Sequence, residues 1–302
     1  MREAEIAGGF RSGYAALVGR PNSGKSTLLN RLVQHRLAIV SPRPQTTRRR
    51  TLGIVQAPGH QMILLDTPGI IDPAYPLQQA LMRTVTDVLG DSDIAVLLLD
   101  AAREGAEPPE IPECVRSFAG TRIAVLNKID LLRRREEMIP LLQSIADSGL
   151  FAEVVPVSAL TGERIENLVS VLVAHLPEGP PFYPPEQLAE QPERFFAGEL
   201  IREQVFLRFR EEVPYSVEVV IDDFKERAGA RDYICATLLV EHESQKGILI
   251  GRGGQAIRSL GEASRLAIED FLGRPVYLEL RVKVAPKWRS DEAALRRLGY
   301  RP

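Results

Sequence analysis

The sequence predicts an α/β domain, built on a mostly parallel sheet with helices on both faces, followed by a smaller α+β domain. Three observations lead there. Apolar runs without polar alternation are interleaved with amphipathic stretches through the first 180 residues. A proline-dense segment then interrupts the pattern, and beyond it the order of elements changes. Unbroken apolar runs separated by helices indicate strands buried on both faces, as in parallel sheets.

In the first domain, assigned to residues 1–180, the strand-like runs are 15–18, 61–65, 94–99, 123–126 and 154–157. Helical patterns fall at 26–33, 77–89, 135–146 and 165–175. Residues 176–185 read Leu-Pro-Glu-Gly-Pro-Pro-Phe-Tyr-Pro-Pro, too proline-rich for a helix or central strand. Residues 181–192 therefore read as a stiff linker. The second domain, residues 193–302, opens with a helix at about 194–210 and strands at 216–221 and 233–241. An apolar triplet at 248–250, a glycine turn, a helix at 255–272 and a strand at 276–284 follow. Pro275 opens the last strand, where its missing N–H does least harm. No internal repeat is visible.

With 302 residues, 44% hydrophobic and 26% charged, the chain can bury two separate cores. Residues 1–13 include Arg2, Glu3, Glu5 and Arg11 and lack the apolar stretch of a secretory leader. The run at 94–99 stops at Asp100, well short of the roughly 20 residues a membrane helix requires. Cys114 and Cys235 lie far apart and outside any CxxC pair, so they read as reduced thiols of a cytoplasmic protein. The net charge of −2 hides an asymmetry. Residues 185–244 carry 7 Lys/Arg against 14 Asp/Glu, whereas residues 245–302 carry 12 against 6. A positive segment suits a polyanion such as RNA.

Gly19-Arg20-Pro21-Asn22-Ser23-Gly24-Lys25-Ser26, followed by Thr27, fits G-x-x-x-x-G-K-[ST] between a strand and a helix. The glycines let backbone N–H groups converge on a phosphate, and the helix adds the positive end of its dipole. Lys25 is expected to neutralise the β- and γ-phosphates, and Ser26 to ligate Mg2+. Asp66-Thr67-Pro68-Gly69 closes another strand. Its carboxylate can hold the metal through water, and the Gly69 N–H can report a γ-phosphate. The proline-broken loop 41–50 supplies a threonine that completes the metal shell only with triphosphate bound; Thr47 is favoured over Thr46. Arg48 to Arg50 fit either a solvated strand edge or an RNA contact.

Asn127-Lys128-Ile129-Asp130 selects the base. Guanine offers N1–H and N2–H2 as parallel donors that Asp130 can accept, whereas adenine presents an acceptor at N1. Asn127 can tie this loop to the phosphate loop, and Lys128 can lay its aliphatic stem on the purine. Ser158-Ala159 is expected to offer a backbone N–H to guanine O6. Three motifs in this order, each at a strand end, select GTP over ATP.

In the second domain Ile250-Gly251-Arg252-Gly253-Gly254 places a G-x-x-G loop between two helical segments. That is the KH signature, whose loop grips about four unpaired nucleotides. Arg252 sits at the tip, with Lys246 and Arg258 flanking it. Helices preceding the last strand suggest the type II KH topology.

Taken together, GRPNSGKST, QTTRR, DTPGI, NKID, VSAL and IGRGGQAI resemble the Era-like family of bacterial ribosome-assembly GTPases over nearly the whole chain. Similar stretches continue in Pro214-Tyr215-Ser216-Val217, around Trp288, and in Leu298-Gly299-Tyr300. The resemblance implies GDP and GTP binding with Mg2+, slow GTP hydrolysis, and a KH domain that grips the 3′ end of 16S rRNA. It also implies a role in maturing the 30S subunit and peripheral association with the cytoplasmic membrane. Ile70 stands where Ras-like proteins place a water-orienting glutamine, so another element must position the attacking water. Asn22 matches an asparagine that related GTPases use to hold K+. Two other functions compete: a nucleotide-stabilised RNA-binding scaffold, and a GTPase of tRNA modification or signalling.

Overall fold

The computed structural model describes residues 9–41, 43–103, 109–227 and 229–301. Pro42 and most of the segment read as leader-free, residues 1–8, lie outside the described residues. Two compact units emerge. One comprises residues 1–38, 47–72 and 81–190, and the other residues 39–46, 73–80 and 191–302.

The first unit holds strands β1 (Arg11–Val18), β2 (Thr51–Ala57), β3 (His60–Asp66), β4 (Ile94–Asp100), β5 (Thr121–Asn127) and β6 (Glu153–Pro156). They lie in the order β2-β3-β1-β4-β5-β6. All neighbouring pairs are parallel except β2, which runs antiparallel to β3 at the edge. Its helices are α1 (Lys25–Val33), the part of α2 (Pro76–Gly90) from Leu81 onward, α3 (Glu113–Arg116), α4 (Met138–Asp147) and α5 (Ile165–His175). Every residue of β4 is buried, as expected of a central parallel strand. Ala16, Val18, Ile63, Leu97 and Leu126 from the sheet pack with Val85, Leu89, Leu141 and Ile145 from helices. Each buried Val, Leu or Ile among them stabilises the fold by about 1.5–3 kcal/mol. The carboxyl ends of β1, β3, β5 and β6 all lead into the motif loops, where open α/β sheets bind ligands.

The expected strands and helices form, with several additions and differences. Strand β2 was not expected. Of the three arginines read as a solvated edge or an RNA contact, Arg48 is buried at 4% exposure, whereas Arg49 is half-buried and Arg50 exposed. The linker is no free spacer. The Gln61 amide, fully buried in β3, donates to the Tyr183 carbonyl (2.8 Å) and accepts the Phe182 and Tyr183 N–H groups. Ser12 Oγ donates to the Pro180 carbonyl (2.6 Å), and the β2 Ile54 N–H donates to the Leu188 carbonyl (2.9 Å). Residues 177–190 thus form a strap bonded to the first unit. The strap also occupies a backbone donor on the edge strand that would otherwise be open to pairing.

The second unit contains α6 (Glu193–Arg208), α7 (Val213–Ser216), β7 (Glu218–Lys225), β8 (Asp232–Val240), α8 (Glu243–Ile250), α9 (Gln255–Leu272), β9 (Val276–Val284) and α10 (Glu292–Arg297). In the sheet β7-β8-β9, β7 and β8 are antiparallel and β8 and β9 parallel. Residues 213–216, partly expected as strand, form a helical turn with Pro214 in its first positions, where proline is tolerated. One sheet face meets the helices: Ala236 packs with Ile201 and Ile268, and Leu238 with Val205, Leu249 and Leu260. The C-terminal extension closes this core. The Trp288 indole donates to the Ser216 carbonyl (2.9 Å), and the Tyr300 hydroxyl donates to buried Glu218 (2.9 Å). Among the described residues no helix is long and apolar enough to cross a membrane.

Candidate nucleotide and RNA sites

The phosphate loop joins β1 to α1 and brings the expected residues together. Gly24 sits at φ 100°, and a Cβ there would lie 2.1 Å from the Asn127 side-chain nitrogen. Only glycine fits that approach. Lys25, 5% exposed, donates to the carbonyls of Gly19 (3.0 Å) and Arg20 (3.1 Å). Ser26 Oγ donates to Asp66 Oδ2 (2.7 Å), and Thr47 Oγ1 lies 3.1 Å from Ser26 Oγ and 3.2 Å from Asp66 Oδ2. Thr47, not Thr46, therefore joins this cluster. The Ile70 N–H donates to the Gly19 carbonyl (3.0 Å), tying the Asp66–Ile70 turn to the loop. A Cβ on Gly69 would fall within 2.8 Å of Pro21, so the turn can approach the loop only as glycine. The hydroxyl of fully buried Thr67 is spent on the Leu17 carbonyl (2.7 Å), which makes it a brace of the turn. Arg20 reaches outward to Glu110 (2.7 Å). Asn22, at φ 64°, Pro21 and Thr27 occupy their motif positions.

Burial dominates the electrostatics. It pushes Asp66 up to about 6, although Lys25, the Ser26 and Thr47 hydroxyls and the Thr67 N–H favour its charge. Burial likewise lowers Lys25 to about 8, against the attraction of Asp66. Asp66 Oδ1 is buried without a hydrogen-bond partner. The folded value of Asp66 exceeds the ordinary 3.8, so its charge destabilises the fold fully above about pH 6, and the penalty fades as pH falls from about 6 to about 4. Asp66→Asn, free of nucleotide and metal, is expected to gain on the order of 1–3 kcal/mol at pH 7 and little at pH 4. Denaturant titration at the two pH values checks this, and a variant less stable than wild type at pH 7 contradicts it.

The base side is assembled at the ends of β5 and β6. Asn127 is 1% exposed; its Nδ2 donates to the Ser23 carbonyl (2.8 Å) and its Oδ1 accepts the Ala159 N–H (2.9 Å). This is the expected tie between loops, but it uses the amide expected to serve guanine O6. The Ser158 N–H is also engaged, with the Glu163 carbonyl (3.1 Å). Asp130 Oδ1 is buried with no hydrogen-bond partner. Lys128 adopts a left-handed backbone, and its ammonium meets Asp100 Oδ2 at 2.6 Å.

In the second unit α8 and α9 flank the glycine loop. A capping box starts α8: Gln245 Oε1 accepts the Glu241 (3.0 Å) and His242 (3.1 Å) N–H groups. Ile250 ends that helix, and Gly251, Gly253 and Gly254 all have positive φ (71°, 57° and 75°). Arg252, Gly253 and Arg258 are exposed, and Lys246 forms a long ion pair with Glu243 (3.7 Å). The arrangement presents backbone and cations on one tip.

Known proteins share both halves. Residues 14–128 match the family model described as 50S ribosome-binding GTPase, and residues 212–289 match the KH domain model. GTPase Era of Syntrophus aciditrophicus is 43% identical over 295 residues, covering 96% of this chain and 95% of that protein. The chain belongs to the Era GTPase family. A chloroplastic GTPase ERA1 of Zea mays is 41% identical, covering 98% of this chain and 72% of its own length. Among solved structures, an Aquifex aeolicus Era variant bound to GDP.AlF4− superposes with a TM-score of 0.91 at 37% identity. An Era complex with MgGDPNP and nucleotides 1506–1542 of 16S ribosomal RNA gives the same values. Each covers 97% of this chain and 100% of the matched one.

As a member of the Era family the chain is a GTPase. The Ile70 side chain packs against the apolar core of the first unit and carries no hydrogen-bonding group.

One residue of this Era-family site escaped the sequence motifs. Asp100 ends β4 opposite Asn127 in the register, is 6% exposed, and holds the Lys128 ammonium. It also accepts the Ala102 N–H (3.1 Å), so its carboxylate is fixed. Asp100→Ala is expected to speed GDP release about 5- to 30-fold through Lys128, by loss of one partly buried ion pair. In a Lys128→Ala background the same change should have almost no effect. Additive effects in that double-mutant cycle would contradict the coupling.

Proposed function

We propose that this chain binds GTP with Mg2+, grips the single-stranded 3′ end of 16S rRNA through the Gly251–Gly254 loop, and uses hydrolysis to time its release during 30S subunit assembly. The observation that carries the nucleotide half is the convergence of Ser26, Thr47 and Asp66 within 3.2 Å of one another beside Lys25. Two hydroxyls and a carboxylate are the hard oxygen donors Mg2+ prefers, and the unpaired buried Asp66 Oδ1 leaves capacity for its shell. Ser26 and Thr47 would hold the ion directly and Asp66 through water. Bound there, Mg2+ bridges the β- and γ-phosphates and offsets their charge. Lys25 neutralises the same phosphates, Gly69 offers its N–H to the γ-phosphate, and Asp130 accepts guanine N1–H and N2–H2.

The RNA half draws support from the Era relative bound to 16S rRNA nucleotides and from the exposed Arg252 and Arg258 at the glycine tip. Thr47 directly follows residues 39–46, and Gly69 lies shortly before residues 73–80. Both segments group with the RNA-binding unit, so nucleotide-dependent ordering of Thr47 and Gly69 has a covalent route to it. Crosslinking the protein to total RNA with a non-hydrolysable GTP analogue tests the target; scattered contacts with no 16S 3′-end enrichment would refute it.

Without a glutamine at position 70, intrinsic hydrolysis is slow and rises when RNA or the subunit completes the water site. Equal single-turnover rates with and without RNA and subunit would remove that element. K+ held beside Asn22 is tested by comparing rates in KCl and NaCl, where identical values reject it. The protein acts in the cytoplasm and contacts the membrane's cytoplasmic face peripherally. Complete recovery in the soluble fraction at low salt would reject the membrane contact.

A further inference from the structure

The β7-β8-β9 sheet has a second face. Ile234, Ala236, Leu238 and Val240 of β8 point into the helix-covered cores, so Tyr233, Cys235 and Thr237 take the opposite side. On β9 the same alternation sends Tyr277, Glu279, Arg281 and Lys283 to that side. Tyr233 and Tyr277 are directly paired in the β8–β9 register, and their rings stack with centroids 6.0 Å apart and planes 13° from parallel. Tyr277 is 54% exposed. Two cations approach the Tyr233 ring: Arg227 at 5.3 Å and Lys225 at 5.9 Å from its centroid. The hydroxyl of Tyr233 donates to Glu279 (2.8 Å), which also accepts from Arg281 (2.8 Å).

A cross-strand tyrosine pair needs none of this to stabilise a sheet, and the surrounding chemistry points to a ligand. Tyr233 is locked by a hydrogen bond to a carboxylate that is itself fixed by Arg281, so the stack is preorganised and ordering it on binding costs little. More than half of Tyr277 is left in water, Arg227 and Lys225 approach the ring of its stacked partner Tyr233, and Arg281 and Lys283 lie further along the same side of β9. The carboxylates on this face are occupied internally: Glu279 by Tyr233 and Arg281, Asp222 by the Thr237 hydroxyl (2.6 Å), and Asp223 by Lys225. An exposed aromatic plane, stacked on a second ring that two cations approach, is complementary to an unpaired nucleobase and its phosphates. Stacking takes the base, and the cations take the backbone.

We propose that the Tyr233–Tyr277 stack, with Arg227 and Arg281, is a second RNA-binding surface of this chain, on the sheet face opposite the helices that carry the Gly251–Gly254 loop. It receives an unpaired base of the RNA whose other nucleotides lie in that loop. The inference rests on the RNA-binding function proposed above. It adds that the footprint extends beyond the roughly four nucleotides a KH loop holds.

The test uses the full chain with GDP and fluorescein-labelled single-stranded RNA of 4 and 16 nucleotides, read by anisotropy at constant ionic strength. Tyr277→Ala should weaken the 16-mer about 5- to 100-fold and leave the 4-mer unchanged. Tyr277→Phe should keep wild-type affinity, and Arg227→Gln should weaken the 16-mer and flatten its salt dependence. A 16-mer carrying 4-thiouridine should crosslink to a peptide containing Tyr277. Unchanged 16-mer affinity in Tyr277→Ala, at wild-type melting temperature and GDP affinity, overturns the proposal, as it would if a protein partner covered this face. Equal losses for both RNAs, or no 16-mer binding by wild type, also overturn it. Failure of wild type to bind the 4-mer refutes the loop as a grip; a 16-mer loss in Tyr277→Ala and Arg227→Gln but not in Tyr277→Phe then still supports the platform.

Discussion

Asp130→Asn is expected to weaken GTP binding about 100- to 10,000-fold while creating affinity for xanthosine triphosphate. Two charge-assisted hydrogen bonds to guanine vanish, each contributing about 1.5–3 kcal/mol. The new amide also turns an N–H2 donor toward guanine's own donors, adding repulsion. Xanthine carries a carbonyl where guanine has its amino group, so the same amide can donate to it. Asp130 Oδ1 is already buried and unpaired, so little further desolvation is needed when the base arrives. Binding of labelled GTP and XTP to wild type and variant checks the prediction. Guanine selectivity surviving intact in Asp130→Asn would remove the base-recognition role.

Lys25→Ala should lower GTP and GDP affinity about 100- to 1,000-fold and bring hydrolysis below detection. The side chain is 5% exposed, and burial already depresses its pKa to about 8, so its charge is held in a poorly screened site. Such a charge interacts with phosphates far more strongly than one in water. Lys25→Arg should not restore function, because a forked guanidinium does not fit the pocket formed by the Gly19 and Arg20 carbonyls. Titration with fluorescent GDP measures the loss. A variant that keeps affinity within a few-fold would place phosphate binding elsewhere.

The nucleotide motifs were legible because their chemistry is local: Lys25 and Ser26 open α1, and Asp66 and Asn127 close β3 and β5. The KH loop was legible for the same reason. What the sequence hid depends on partners far along the chain. Arg48, one of three consecutive arginines, fitted either a solvated edge or an RNA contact, but packing buries it. Residues 181–192 read as a stiff linker because prolines prevent regular structure, and nothing local announces that the Gln61 amide bonds the backbone of Phe182 and Tyr183. Asp100 reads as a mere strand end until the β4–β5 register sets it opposite Asn127. Strand β2 left a usable signal, the run Thr51-Leu52-Gly53-Ile54-Val55 followed by a Pro58-Gly59 turn. Helix α10 left another: Asp291 caps it, accepting the Ala293 N–H at 2.8 Å.

Timing by hydrolysis requires that nucleotide and RNA sense one another, because only differential affinity can couple two sites. The direct measurement is the dissociation constant for one single-stranded RNA matching the 16S 3′ end, taken with a non-hydrolysable GTP analogue and again with GDP. A difference of about tenfold or more, favouring the triphosphate form and abolished by Thr47→Ala, is predicted. Equal constants in the two nucleotide states would contradict it, leaving a scaffold that nucleotide merely stabilises.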